Sequence, residues 1–183
     1  MKLAEFIRSS GRTLANKFSI DSEIKINLLH SAIGISTEVG EIVEAFNKNE
    51  LLDIVNLAEE AADVIWYMAI PIRDYELDIS KLDLAEVTEF NLEKLVIDSA
   101  NFLDYIKKIS FYNKKIETTE VDKHVINIYS NIISMAHFYG LDLELALSNN
   151  QDKLKARFPD KYDDSKALNR NTDTERAELE KGM

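Results

Sequence analysis

The chain has 183 residues, of which 45% are hydrophobic and 30% are charged, and this composition suits one domain, 1–183, with a sizeable core. The formal net charge of −11 argues against a nucleic-acid polymer or an anionic membrane surface as a partner. The absence of cysteine (Cys 0) excludes disulfides and thiolate metal sites. Because the N-terminus lacks an apolar signal sequence and the longest apolar run, 64–72, is too short to span a bilayer, we expect a cytoplasmic protein without a membrane partner.

Two long helices are predicted in the first half of the chain, after a short amphipathic helix or ordered arm at 3–18. The first covers 23–47, where apolar residues recur at spacings of three and four; they are Leu28, Ala32, Ile35, Val39, Ile42 and Phe46. The second begins near residue 55, and its apolar seam consists of Leu57, Ala61, Val64 and Met68. Pro71 should kink or stop this second helix, because proline lacks the N–H of the helical hydrogen bond.

The second half of the chain is also predicted to be helical. The segments are, in order, a connection at 79–87, helices at about 88–115, 119–140 and 141–158, and a polar C-terminal tail at 160–183 with a short helix at 174–181. Thr119, with Asp122 three residues on, is a plausible helix cap, Gly140 is a suitable helix end, and Pro159 should stop the fifth helix. With only 5 glycines and 2 prolines in the chain, we expect an all-α bundle of four to five main helices.

Two pairs of acidic residues lie beside the first two seams. Glu38 and Glu41 belong to the first helix and Glu60 and Asp63 to the second, and a spacing of three places each pair on one helix face. If the two helices pack antiparallel, the four carboxylates converge and repel one another unless a cation lies among them. Replacing Asp63 with Asn should then stabilise the metal-free protein.

The ligands in such a site would all be oxygen atoms, which Mg²⁺ and Mn²⁺ prefer. The alternative is that each acid pair simply lies on a solvated helix face. A di-iron carboxylate site is disfavoured, because none of His30, His124 and His137 has a Glu three residues before it. The remaining rival from another class is a non-catalytic helical scaffold or regulatory protein with a vestigial metal site.

Further residues extend the acid pairs into a longer pattern. E-V-G-E at 38–41 is followed by E-A-A-D at 60–63, and N-Q-D-K-L-K-A-R-F-P occupies 150–159. Together they resemble the ExxE…ExxD signature and the later NxxKLxxR(Y/F)P element of the MazG-like all-α nucleoside triphosphate pyrophosphatases. E-F-I-R-S-S-G-R-T at 5–13 resembles a common N-terminus of that family.

This resemblance implies a MazG-like fold and a Mg²⁺-dependent nucleoside triphosphate pyrophosphohydrolase. Such an enzyme cleaves a nucleoside triphosphate between the α and β phosphates, giving a monophosphate and pyrophosphate in nucleotide-pool house-cleaning. The implied metal ligands, one of which also orients the attacking water, are Glu38, Glu41, Glu60 and Asp63. The candidate substrate-binding residues are Tyr67, Asn150, Lys153 and Arg157.

The functional assignment of these substrate residues has alternatives. Asn150, Lys153 and Arg157 share one helix face, which would hold the outgoing phosphates or would simply be solvated. Tyr67 and Trp66 are candidates for the base or sugar pocket, with packing in the core as the favoured alternative for Trp66. His30 is expected to be a polar neighbour of the acids. The preferred base and sugar remain open.

The block at about 80–138 departs from the short relatives, whose bundle is completed by another subunit. Here the extra hairpin at 88–140, which lacks the acid pairs, is expected to complete the bundle within the chain, and we expect a homodimer. Y-E-L-D-I at 75–79 also resembles Y-G-L-D-L at 139–143. If this similarity marks a duplication, the positions matching Glu38, Glu41 and Glu60 are Phe102, Tyr105 and His124. Two unrelated hairpins are the alternative.

Overall fold

The structure is a computed structural model that describes residues 3, 4, 7, 18 to 47 and 51 to 183. The helices that build the fold are α1 (Glu23–Asn47), α2 (Ile54–Asp74), a 3-10 helix (Ile79–Leu84), α3 (Leu92–Tyr112), α4 (Thr118–Tyr139), α5 (Leu143–Arg157), α6 (Asp164–Leu168) and α7 (Thr172–Leu179). The described residues contain no β-strand, which confirms the all-α prediction. Most of the predicted helix at 3–18, and of the motif at 5–13, lies outside the described residues.

Helices α1 to α4 share one hydrophobic core. Helix α1 packs against both α2 and α3, while α4 packs against α3 and α2. The core residues are Leu28, Ala32, Ile35, Val39, Ile42, Leu57, Ala61, Val64, Met68, Leu95, Phe102, Tyr105, Ile106, Ile109, Val121, Val125, Ile128, Ile132 and Met135. The extra hairpin therefore packs onto the two acidic helices of its own chain. Among the described residues, no helix has the length and apolar character needed to cross a membrane.

Helices α1 and α2 run antiparallel. Asn27, near the start of α1, donates a hydrogen bond of 2.7 Å to Asp74 at the end of α2. One turn further along α1, the Ser31 hydroxyl donates to the backbone carbonyl of Tyr67 at 2.8 Å. This carbonyl lacks a helical N–H partner because Pro71 is four residues on. Since Ser31 supplies the missing donor, α2 does not stop at Pro71 but continues to its end at Asp74.

Local capping moves two helix starts away from their predicted positions. The Asn91 side chain accepts a hydrogen bond from the backbone N–H of Lys94, so α3 begins after Asn91 and not at Thr88. Helix α4 begins at Thr118, so Thr119 lies in its first turn and the predicted Thr119 cap is wrong. Gly140 ends α4 with a positive φ of 67°, a conformation that glycine adopts without a Cβ clash.

The segment 160–183 is polar in sequence but is not a detached tail. Helix α7 packs against α5 and buries Leu179, which is 4% exposed. The Asn149 side chain on α5 donates to the Leu179 carbonyl at 2.9 Å. The Arg176 guanidinium donates to Asp53, whose side chain caps the start of α2. These contacts fix the C-terminal segment beside the acidic helices.

The similarity between 75–79 and 139–143 pairs three acids of α1 and α2 with ring-bearing residues of the α3–α4 hairpin. These residues are Phe102, Tyr105 and His124. The centroid of the His124 ring lies 5.6 Å from that of Phe102 and 5.3 Å from that of Tyr105. These three side chains meet between their two helices, as Glu38 and Glu60 do between α1 and α2. Because they offer no carboxylate, this second cluster is not a site for a hard cation.

Candidate metal centre and cleft

Three of the four predicted metal ligands come together between α1 and α2. Each of Glu38, Glu60 and Asp63 offers a carboxylate oxygen, and these oxygens lie within 4.8 Å of one another. The antiparallel packing of the two helices brings the i, i+3 pair of α2 opposite Glu38. Glu60 is 4% exposed, and the other two carboxylates are half-buried. The spacing suits a shared cation, because all the donors are oxygen atoms.

Glu41, the fourth predicted ligand, is exposed and does not belong to this three-residue cluster. It lines the same cleft, one turn along α1 from Glu38. Its charge still acts on the cluster, because it contributes to raising the pKa of Glu60 and of Glu38. Glu41 is therefore placed at the edge of the acid cluster, where water has access to it.

Burial and mutual repulsion oppose ionisation of the cluster. Burial, followed by the charges of neighbouring carboxylates, raises the pKa of Glu60 to about 9. Burial, followed by the charges of Asp63 and Glu41, raises the pKa of Glu38 to about 7, although a hydrogen bond with Glu60 acts in the opposite direction. The metal-free cluster therefore retains protons near neutral pH, and a bound cation would displace them.

Helix α5 supplies a cation of its own to Asp63. The Lys153 ammonium donates to Asp63 Oδ2 at 2.6 Å and to Glu59 Oε1 at 3.0 Å. The Asn150 amide donates to the other oxygen of Asp63, Oδ1, at 2.6 Å. Small residues let α5 approach α2 this closely; they are Ala58, Ala62 and Ala146. Lys153 and Asn150, which the sequence predicts to bind phosphate, thus each hold one oxygen of Asp63, a predicted metal ligand.

Arg157, the third residue of the predicted phosphate face, bonds elsewhere. Its Nε and Nη2 atoms donate to the carboxylate of Glu175 on α7, at 2.7 and 2.5 Å. Arg170, in the turn between α6 and α7, donates to the same carboxylate. The sequence reasoning missed Glu59, Arg170 and Glu175. Glu59 lies four residues before Asp63 on the same helix, a spacing that could have identified it. No helical spacing links Arg170 or Glu175 to the acid pairs.

Aromatic residues form the part of the cleft beside the acids. The Tyr67 ring lies against Gly34 of α1, where a Cβ atom would stand 2.3 Å from the ring. The Tyr67 ring also makes edge contacts with His30 and Trp66, at centroid distances of 5.4 and 4.9 Å. The prediction that Trp66 packs in the core is wrong, since its side chain is 40% exposed and lines the cleft. Trp66 lies midway between Val64 and Met68, which face the core, and therefore points away from it.

One cleft of about 1070 Å³ joins these features. The acids of α1 and α2 line one side of it, and the other side carries basic and aromatic residues from α5 and the segment that follows. The basic lining residues are Lys153, Lys155, Arg157, Lys161 and Arg170. The aromatic lining residues are His30, Trp66, Tyr67, Phe158 and Tyr162. A cleft of this volume is large enough for a small organic ligand that combines a ring with several negative charges.

Comparison with protein-family models, with curated proteins and with solved structures gave no match to this chain. The functional assignment therefore depends on the chemistry of the cleft and on the motif resemblance that the sequence carries.

Proposed function

We propose that this protein is a Mg²⁺-dependent nucleoside triphosphate pyrophosphohydrolase of the MazG-like type that acts in the cytoplasm on the nucleotide pool. The observation that carries the proposal is the cluster of Glu38, Glu60 and Asp63 in a cleft with a basic and aromatic opposite side. A nucleoside triphosphate has the complementary chemistry, since its phosphates favour cations and its base is a flat ring.

The donor set fits a hard divalent cation. Glu38, Glu60 and Asp63 would hold Mg²⁺, with Mn²⁺ as the nearest substitute, because the three offer carboxylate oxygens within 4.8 Å of one another. The raised pKa values of Glu60 and Glu38 support this role, since they indicate that the described residues do not fully compensate the negative charge of these carboxylates when ionised. When bound, the ion would supply charge neutralisation for the phosphates and polarisation of the phosphorus centre.

The remaining residues have distinct tasks in the proposed reaction. Lys153 and Asn150 hold the two oxygens of Asp63 and so fix the direction of that carboxylate. Glu41, exposed at the edge of the cluster, would take the proton of the attacking water. The water oxygen bonds to one of the two phosphorus atoms that the α–β bridging oxygen joins. The bond between that phosphorus and the bridging oxygen breaks, which releases monophosphate and pyrophosphate. Tyr67 and Trp66 would contact the base or sugar through their rings.

A substrate panel tests this proposal. Each nucleoside and deoxynucleoside triphosphate is incubated with the protein and Mg²⁺, and pyrophosphate and orthophosphate are measured separately. We expect pyrophosphate and a monophosphate from at least one substrate. Release of orthophosphate alone, or no turnover with Mg²⁺ or Mn²⁺, would contradict the proposal.

Variants locate the activity in the cluster. Glu60→Gln and Glu38→Gln should each reduce kcat by orders of magnitude while helicity, measured by circular dichroism, stays unchanged. Glu44→Gln is the matched control, because Glu44 is an exposed acid of α1 that does not line the cleft. Equal activity of all three variants would place the reaction elsewhere in the molecule.

One observation favours a second candidate, a non-catalytic helical scaffold with a vestigial metal site. Lys153 already gives Asp63 and Glu59 a protein cation, as in a purely structural ion-pair network. Isothermal titration with Mg²⁺ and Mn²⁺ separates the two candidates. Heat of binding that disappears in Glu60→Gln supports the enzyme, whereas absence of binding to the wild type supports the scaffold.

A further inference from the structure

Glu175 is a buried acid outside the acid cluster, and its carboxylate accepts hydrogen bonds from two arginines. It is 3% exposed on α7, and its carboxylate accepts four hydrogen bonds. Two come from Arg157 on α5, and two come from Arg170 at 3.0 and 2.8 Å. Burial alone would raise the pKa of Glu175, but the hydrogen bonds from both arginines hold it below its usual range.

Each arginine binds Glu175 through one edge and retains donors on the other. Both use Nε and Nη2 for the carboxylate, so both Nη1 atoms keep their two N–H groups for another partner. Both side chains line the cleft, and that of Arg170 is 45% exposed. Two guanidinium groups this close would repel each other without the carboxylate between them.

A chain of contacts connects this pair to the acid cluster. Arg170 Nη2 lies 3.8 Å from Glu59 Oε1, and Glu59 accepts a hydrogen bond from Lys153, which also bonds Asp63. The two guanidinium groups therefore lie near the candidate metal ligands, on the basic side of the same cleft. An anion that reached the cluster would meet them.

We propose that Glu175 is a positioning residue that holds Arg157 and Arg170 as a paired guanidinium clamp for the polyphosphate part of the substrate. The planar fork of arginine suits bidentate contact with phosphate oxygens, and fixing the fork in advance lowers the entropic cost of binding. Residues of α7 thereby become part of the substrate site. The inference rests on the proposed function for the identity of the substrate, but the binding of a polyphosphate is testable separately.

Kinetics test the clamp in the full chain. Arg170→Ala should raise KM for the best triphosphate roughly tenfold or more while kcat changes little. Arg170→Lys keeps the charge but removes the fork, and its KM should also rise. The matched control is Lys166→Ala, which removes an exposed positive charge of α6 that does not line the cleft and should leave KM unchanged.

Glu175→Gln gives the sharpest result, because two explanations predict opposite signs. Removal of a negative charge beside an anion site should lower KM if only Coulomb attraction matters. Loss of the positioning carboxylate should raise KM instead, and we expect the rise. Asp173→Asn is the control for charge, since Asp173 is an exposed acid of the same helix. The hydrogen bonds and ion pairs of the two arginines go to Glu175 and Glu59 instead.

Titration with inorganic tripolyphosphate separates this inference from the proposed function. We expect wild type to bind tripolyphosphate and both Arg170→Ala and Glu175→Gln to bind it more weakly. If wild type hydrolyses no triphosphate, the proposed function fails, yet this pattern of binding would still support the clamp. Three results would overturn the clamp. The first is a wild-type KM in Arg170→Ala or Arg170→Lys, and the second is an unchanged or lowered KM in Glu175→Gln. The third is equal tripolyphosphate binding by wild type and all variants.

Discussion

Lys153 and Asp63 form an ion pair in which the ammonium nitrogen lies 2.6 Å from Oδ2, and the two side chains are 2% and 21% exposed. The acid pairs by themselves predict repulsion at Asp63, so that Asp63→Asn would stabilise the metal-free protein. The structure leads to the opposite expectation, because the carboxylate of Asp63 is the partner of a buried ammonium. Burial and neighbouring carboxylates raise the pKa of Glu60 and of Glu38.

We now expect Asp63→Asn to destabilise the metal-free protein by about 2 kcal/mol, because it leaves the Lys153 ammonium with Glu59 as its remaining carboxylate. The measurement is urea unfolding in chelator. Asp152 and Lys155, an exposed pair on the same helix, provide the control, and breaking that pair should cost under about 1 kcal/mol. A double-mutant cycle of Asp63→Asn with Lys153→Met should return a favourable coupling energy between the two side chains. If Asp63→Asn is instead more stable than wild type, repulsion between Asp63 and the neighbouring acids dominates.

Magnesium should stabilise the fold. An ion that binds only the folded state at a hundredfold excess over its dissociation constant adds roughly 2.7 kcal/mol to the free energy of unfolding. Thermal melts of wild type and Glu60→Gln, each in chelator and in excess Mg²⁺, measure this effect. The wild-type midpoint should rise and that of Glu60→Gln should stay in place; an equal response of both would mean that the cluster is not the binding site.

The stability of the metal-free protein should fall as pH rises from about 5 to about 9. The folded-state pKa is about 9 for Glu60 and about 7 for Glu38, against an ordinary value of 4.5. In this window the folded state holds more protons than the unfolded state, so deprotonation favours unfolding. The pH profile of Glu60→Gln in chelator should be flatter than that of wild type above pH 7, and parallel profiles would show that Glu60 ionises normally.

The two glycines of α1 should respond in opposite directions to alanine. In Gly34→Ala the new Cβ would stand 2.3 Å from the Tyr67 ring, so the ring must move and stability should fall by about 1 kcal/mol or more. In Gly40→Ala the Cβ meets nothing within 4 Å, and the helix should gain about 1 kcal/mol. Thermal melts of both variants check this. Equal gains in stability would show that Tyr67 does not depend on the space at Gly34.

The packing of the extra hairpin onto α1 and α2 within the chain leads us to expect a small assembly. We predict a homodimer at micromolar concentration, because α3 and α4 pack on α1 and α2 within one chain, where the resemblance to short MazG-like proteins would otherwise imply another subunit. Light scattering coupled to size exclusion measures the mass. A stable tetramer would contradict this role of the hairpin.

The spacing of apolar residues in the sequence was sufficient to predict most of the long helices. The apolar period of α1 and α2 predicted both helices to within a few residues, and Gly140 ends α4 as expected. The i, i+3 spacing of Glu60 and Asp63 determined that they share a face, since the turn of an α-helix fixes that relation wherever the helix lies. The capping of α3 and α4 was harder to predict, because several neighbouring polar residues compete for each helix start.

Only the tertiary structure decided which side chains share the cleft. Lys153 and Asn150 lie 90 and 87 positions from Asp63, and Glu175 meets two arginines from separate segments. No helical periodicity connects Lys153 or Asn150 with Asp63, because these contacts depend on how α5 docks on α2. The contact of Glu175 with Arg157 depends likewise on how α7 docks on α5. The sequence by itself determined the helices and the acid pairs on their faces, since those follow from local backbone geometry. Three features could be found only in the packed chain, since charge interactions depend on distance in space. They are the ion pair that neutralises Asp63, the position of Glu41 at the edge of the cluster, and the pairing of Arg157 with Arg170.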